Sequence, residues 1–198
     1  MTEQITAPEV RTARSGRWTT TYILSDPASG RGVVVDASHN AQRIADAAAG
    51  LRIERILLTH GDADHVDALE DLKRLLNAPV GVHPADADRL ALATGLSHRG
   101  WTEITFGACS LRAMHTPGHT PGSVGFYTPG VLVAGDTLFR AGRVATGDDA
   151  ERFATIMRSL REKFFTLPDE TDVLPGHGTP TTIGDERPSL VDWEARGY

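Results

Sequence analysis

The chain has 198 residues, enough for one domain with a sizeable core, and its 40% hydrophobic and 23% charged content is that of an ordinary folded protein. A formal net charge of −6 with scattered basic residues argues against nucleic acid as a partner. No apolar run nears the roughly 20 residues of a membrane span, the N-terminus lacks the apolar core of a signal peptide, and Cys109, the only cysteine, excludes an internal disulfide and cysteine-based zinc motifs. A cytoplasmic protein with a small-molecule substrate is therefore expected, with a homodimer left open.

Residues 1–16 are polar and read as a loosely held start. Thr19–Leu24 and Gly32–Asp36 read as strands joined by a DPASG hairpin turn. Asn40–Ala49 is an Ala-rich helix stopped by Gly50. Arg55–Thr59 is an apolar run of the kind that forms a buried strand. Val66–Leu76 carries Leu69, Leu72 and Leu76 at helical spacing, Pro79–Val82 is another strand, and Pro84–Ala93 a helix with Pro in its first turn and Gly95 after it. Ser110–Met114, Val124–Tyr127 and Val131–Ala134 follow as strands. Ala150–Phe165 is the longest helix, with Phe153, Ile156, Met157, Leu160 and Phe164 on one face, and Asp172–Leu174 is a last short strand. Cys109, in FGACSL, reads as a small buried residue. Two similar halves of strands and helices imply a layered α/β fold, with sheets packed together and helices outside, in one unbroken domain over residues 1–198.

Four apolar strands run straight into potential ligands: RILLT into HGDADH, LRAMHT into PGHTPG, VLVAG into DTLF and DVLP into GHG. Strand ends at one sheet edge are where ligand-binding loops gather. The clusters carry His60, Asp62, Asp64, His65, His119, Asp136 and His177, which points to one shared site.

In these four elements and their order the sequence resembles the metallo-β-lactamase superfamily, from about Tyr22 to Pro188. HTPGHTPGS, GDTLF, LREKFFTLPDETDVLPGHG and TPTTIGDERP are most similar to the glyoxalase II-like branch. The resemblance implies an αββα sandwich with a two-metal site at one edge, and hydrolysis of thioesters and related acyl compounds. True glyoxalase II adds a C-terminal helical domain that holds glutathione. The chain ends at Tyr198, soon after the last ligand, which puts a glutathione substrate in doubt, and the GRTD that often follows GDTLF reads GRVATGDD.

Carried over residue by residue, the resemblance implies one metal on His60, Asp62 and His119, a second on Asp64, His65 and His177, and Asp136 between them. The spacing is compatible, since side chains two apart on an extended loop point the same way. Two divalent ions could then trap a hydroxide and polarise a carbonyl, with Asp64 orienting the nucleophile. Asp62 stands where the family pattern has its second histidine. With this third carboxylate, two divalent ions and a hydroxide sum to zero, where the usual pair leaves one positive charge. That implies less acidic bound water and more room for iron or manganese beside zinc. Asp62 could instead cap the helix expected to start near His65.

Asp67 reads as an exposed acid of the first helical turn. Asp36 resembles a family position that supports ligands from behind, with an ordinary loop acid as the alternative, and His115 reads as a supporting or packing residue rather than a ligand. His39 has a smaller claim to reach the site, and His83 and His98 read as surface residues. Trp18, Phe139, Arg140 and Arg143 are candidates to line the pocket. Two other readings stand beside the hydrolase: a mononuclear iron sulfur dioxygenase using His60, His119 and Asp136, and a non-catalytic binding protein that kept the fold.

Overall fold

A computed structural model describes residues 6–15, 19–90, 103–142 and 149–197. One sheet contains β1 (Glu9–Ser15), β2 (Thr19–Ser25), β3 (Arg31–Val35), β4 (Arg52–Leu57) and β5 (Val80–Gly81), in that order. β6 (Ile104–Phe106), β7 (Cys109–His115), β8 (Val124–Thr128), β9 (Val131–Gly135), β10 (Asp172–Pro175) and β11 (Thr181–Thr182) form the other, also in chain order. Pairing is antiparallel except for β3–β4, β4–β5 and β9–β10.

Strand periodicity explains the layering, because alternate residues face opposite sides of a sheet. Tyr22, Leu24, Val33, Val35 and Leu57 meet Phe106, Leu111, Phe126 and Val133 in a core between the two sheets. Their neighbours Ile23, Val34 and Ile56 face outward, beneath Ile44 of α1 (Ala41–Ala47) and Leu69 and Leu72 of α3 (Leu69–Leu76). On the far side Leu132, Ala134 and Val173 pack under Phe153, Ile156 and Leu160 of α5 (Ala150–Glu162), with Trp193 of α7 (Leu190–Arg196). The order of layers is helix, sheet, sheet, helix, as expected for an αββα sandwich. Cys109 is buried in the central core. No helix among the described residues is long and apolar enough to cross a membrane.

Several local expectations are corrected. Residues 9–15 are not loosely held: β1 pairs along its full length with β2, and Arg11 reaches the carbonyls of Ala47 and Ala49 at the C-terminal end of α1. A polar edge strand has little local signature, and its partner supplies the order. The helix expected over Val66–Leu76 is two, α2 (Ala63–Val66) and α3, broken where Asp67 holds the His39 backbone N–H at 2.5 Å. The helix expected from Pro84 is the single turn α4 (Pro84–Ala87), and residues 91–102, including Gly95 and His98, lie outside the described residues. α5 ends at Glu162, ahead of a short 3-10 turn at Phe164–Thr166. After β11 come α6 (Ile183–Glu186) and α7, elements beyond those expected from the sequence.

β7 and β9 both run antiparallel to β8, and β10 is parallel to β9, so the ends of β7, β9 and β10 share one edge. The segment after β4 joins them from the other sheet through a Val124 N–H bond to the Thr59 carbonyl, 2.8 Å.

Candidate metal centre

The four strand-end segments bring all seven expected ligands together. Among the described residues, three groups place one ligand atom from each member within 4.8 Å of the others: His60, Asp62 and His119; His60, His65 and Asp136; and Asp64, His65 and His177. Asp136 lies between the outer two groups. Its Oδ1 is 3.3 Å from His65 Nε2, and its Oδ2 is 3.2 Å from His177 Nε2 and 3.7 Å from His119 Nε2. Gly176 makes room for this convergence, since a Cβ there would come within 2.3 Å of Asp136 Oδ1 and 2.6 Å of His65 Cε1.

A buried carboxylate orients the histidines. Asp36 Oδ2 accepts from His65 Nδ1 at 2.8 Å and from Thr59 Oγ1 at 2.8 Å, and Asp36 Oδ1 accepts from the Thr59 N–H at 2.8 Å. The Thr59 hydroxyl, whose O–H donates to Asp36, accepts from His60 Nδ1 at 2.9 Å. This chain assigns the Nδ1 proton on both rings and turns both Nε2 atoms toward the centre. Asp36 adopts φ 66°, a left-handed conformation that aims its side chain back at the ligands.

The residues fit a cation. His60 Nε2 is buried with no hydrogen-bond partner, facing a cluster of imidazole nitrogens and carboxylate oxygens. A buried acceptor left unsatisfied is costly unless something positive meets it. Burial, with the neighbouring His65, pushes His60 down to a pKa of about 4. Burial alone would lower His65 too, but Asp36 and Asp136 outweigh it and hold this ring well above its ordinary value. Asp136 is lowered despite its burial, by His177 and His65. Asp62 lies well below the usual carboxylate range, chiefly through His119, against burial and with help from Arg89. Without metal the cluster is held by its own protons, and a metal would displace them. The donors are nitrogen and oxygen only, a set suited to zinc, iron or manganese.

Asp62 occupies the N-cap position of α2, yet its side chain makes no capping hydrogen bond. Its Oδ2 lies 3.0 Å from His119 Nε2 and 3.8 Å from His60 Nε2, while Oδ1 pairs with Arg89. The capping alternative is therefore set aside. Asp64 is more open, and its Oδ2 accepts from Thr19 Oγ1 at 3.1 Å and lies 3.1 Å from His177 Nε2.

The remaining candidates fall in different places. Phe139 lies beside the cluster, its ring centroid 6.2 Å from that of His177, and Arg140 is exposed on the next turn. Trp18 and Arg143 lie outside the described residues. His115 stacks on His83 with ring centroids 4.0 Å apart and bonds the Pro121 carbonyl at 2.9 Å, so its link to the cluster runs through the loop that carries His119. His39 pairs with Asp67 instead of reaching the centre, 2.5 Å from Nδ1 to Oδ2, and Asp67 is thereby more than a plain helix-turn acid.

Three supporting residues were missed in the sequence. Asp86, fully buried on α4, accepts from Gly61 N at 2.9 Å, Thr120 Oγ1 at 2.6 Å and Gly122 N at 2.7 Å, tying the loop of His60 and Asp62 to that of His119. Arg152 on α5 bonds the Gly118 carbonyl at 3.2 Å and also the His119 carbonyl. Arg89 pairs with Asp62. None sits in a ligand motif, and only the HTPGHT turn hinted that something must hold it.

A family model described as the metallo-beta-lactamase superfamily matches residues 17–177. Hydroxyacylglutathione hydrolase from Fuscovulum blasticum is 37% identical over 161 residues, which cover 79% of this chain and 61% of that protein. Two solved structures share the architecture. ETHE1 from Myxococcus xanthus superposes with a TM-score of 0.76 at 29% identity, over 90% of this chain and 81% of its own. TTHA1623 in a di-iron-bound form gives 0.69 at 30% identity, over 90% and 96%.

Proposed function

The chain belongs to the metallo-β-lactamase superfamily, on its glyoxalase II-like branch, and we propose that it is a two-metal hydrolase of a small ester, thioester or lactone. One observation carries the proposal: Asp136 lies between two complete three-residue ligand groups, one from His60, Asp62 and His119, the other from Asp64, His65 and His177. A mononuclear dioxygenase would need only His60, His119 and Asp136, and the assembled second group favours the two-metal reading. The di-iron form of TTHA1623 keeps iron beside zinc and manganese among the candidate metals.

Bound metal supplies a Lewis acid that polarises the scissile carbonyl and makes water nucleophilic near neutral pH. The chain's own residues do the rest. Asp36, through Thr59 on one side and directly on the other, keeps the His60 and His65 Nε2 lone pairs aimed inward. Asp64 is the most solvent-open acid of the set, and Thr19 holds its Oδ2, the oxygen that faces His65 and His177, so Oδ2 would serve as the ligand atom and leave Oδ1 to take a proton from water. Phe139 borders the His177 side and gives the substrate an apolar wall. Since the chain spans 61% of the matched hydroxyacylglutathione hydrolase, the acyl–glutathione specificity of that protein is not transferred.

The test joins metal counting to a substrate panel. Purified protein reloaded with Zn2+, Fe2+ or Mn2+ is assayed by elemental analysis and against thioesters, aryl esters and lactones. Two metals per chain and turnover lost on chelation are expected, with Asp64→Asn lowering kcat at least about a hundredfold. One iron per chain, with oxygen uptake on glutathione persulfide and no ester turnover, would establish the dioxygenase instead. Two bound metals with no turnover anywhere on the panel would point to a binding protein.

A further inference from the structure

Asp62 divides its two oxygens. Oδ2 faces His119 and His60 within the ligand group, and Oδ1 is taken by the Arg89 guanidinium. The two residues are 29% and 45% exposed, and a pair on open surface would contribute little to stability. This one is anchored from behind. Arg89 follows α4 and its N–H bonds the Asp86 carbonyl at 3.1 Å, while the Asp86 carboxylate holds the Gly61 N–H at 2.9 Å. The segments are in direct contact, since a Cβ on Gly61 would lie 3.1 Å from Arg89 Cβ and 3.2 Å from the Asp86 carbonyl oxygen. The Arg89 stem is thus packed against the loop that carries the ligands.

We propose that Arg89 is a positioning and charge-compensating residue that makes Asp62 equivalent, in net charge, to a neutral ligand. The proposal rests on the metal reading of the cluster. Two divalent ions facing Asp64 and Asp136 and a neutral ligand at position 62 retain two positive charges. An unpaired aspartate there would remove one of them. The Asp62–Arg89 pair, neutral as a unit, restores it while Oδ2 stays available as a ligand atom. The altered acidity and metal preference inferred for a third carboxylate are therefore offset, and position 89 is where that preference can be tuned.

A double-substitution cycle on the full chain tests this, read as the Zn2+ dissociation constant by competition with a chromophoric chelator at fixed pH and ionic strength. Arg89→Gln exposes the extra negative charge and should tighten Zn2+ binding about tenfold or more, by the size of a charge–charge term over a few ångströms near a protein surface. Asp62→His leaves Arg89 uncompensated beside the cation and should weaken binding by a similar factor. Asp62→His/Arg89→Gln should return to within about threefold of the starting protein, and Arg89→Lys, which keeps the charge, should stay near it. Thermal unfolding of the metal-free variants confirms that each is folded. Unchanged or weakened Zn2+ binding in Arg89→Gln overturns the proposal, as does an Asp62→His/Arg89→Gln variant that stays more than about threefold from the starting protein. A starting protein that binds no Zn2+, Fe2+ or Mn2+ overturns the metal reading itself and the proposal with it.

Discussion

Removing the Asp86 carboxylate should separate two loops that each carry ligands of the first metal group. Its three hydrogen bonds come from Gly61 N, Gly122 N and Thr120 Oγ1. In Asp86→Ala the Thr120 hydroxyl can turn to Ser123 Oγ, already 2.9 Å away, but the two buried amides are left without acceptors. At about 1–3 kcal/mol for each stranded amide, the loss is about 4 kcal/mol. For a chain of this length that corresponds to a fall in Tm of about 8–16 °C. Asp86→Asn keeps one carbonyl oxygen, which can serve Gly61 N and Thr120, and turns its NH2 against Gly122 N, so about 1–2 kcal/mol should go. Gly61 lies between His60 and Asp62, and Thr120 follows His119. Metal on His60, Asp62 and His119 should therefore weaken before metal on Asp64, His65 and His177. The assay is thermal unfolding by circular dichroism without metal, followed by stepwise metal titration of Asp86→Asn. A Tm for Asp86→Ala within about 2 °C of the starting protein would refute the clamp, as would equal weakening of both metals.

Asp36→Asn sets an amide NH2 against either the Thr59 N–H or the His65 Nδ1–H, which disturbs the tautomer both rings need; metal affinity should fall about 10–100-fold in a chelator competition, and unchanged affinity counts against the shared anchor. Chelation of fully loaded protein should remove the stabilisation of a ligand held far above its Kd, about 4 kcal/mol or a Tm drop of about 8–16 °C by calorimetry, and no drop would mean that the cluster holds no metal. The metal-free protein should be most stable near pH 6.5. Below that, the unfolded chain protonates His60 more readily than the fold, whose value is about 4, so up to about 3 kcal/mol is lost as the pH falls from 6.5 toward 4. Above it, the raised folded pKa of His65 means that its contribution fades as the pH rises through that value. Urea midpoints from pH 4 to 9 check this, and a midpoint that keeps rising toward alkaline pH would be inconsistent with a protonated His65.

The ligands were legible because each follows an apolar strand within a few residues, where β-periodicity stops and polar side chains cluster. RILLT before His60 and VLVAG before Asp136 carry that signal locally. Asp36 was legible through the family likeness, though nothing local signals its positive φ or the hydrogen bonds it accepts from Thr59 and His65. Arg89 and Asp86 were not legible, because their partners are 27 residues away in one case and 25 to 36 in the other, and nothing around them marks which basic or acidic residue folds back. β1 escaped notice because its strand character comes from pairing with β2. Helical spacing of leucines over Val66–Leu76 concealed the break at Asp67, where a hydrogen bond to His39, across the chain, outweighs propensity.

The ligands come from both sheets: His60, Asp62, Asp64 and His65 follow β4, whereas His119, Asp136 and His177 follow β7, β9 and β10. The distance between these sets is fixed by what fills the sandwich, and the Leu57, Val133 and Phe126 side chains behave as the spacer of a caliper whose jaws are the two strand edges. Thinning that spacer would draw the jaws together and tighten each ligand group across the sandwich without touching a ligand. The interior of such a protein is therefore a dial on its chemistry as well as its stability, and substitutions far behind the ligands can retune how closely each group meets a cation.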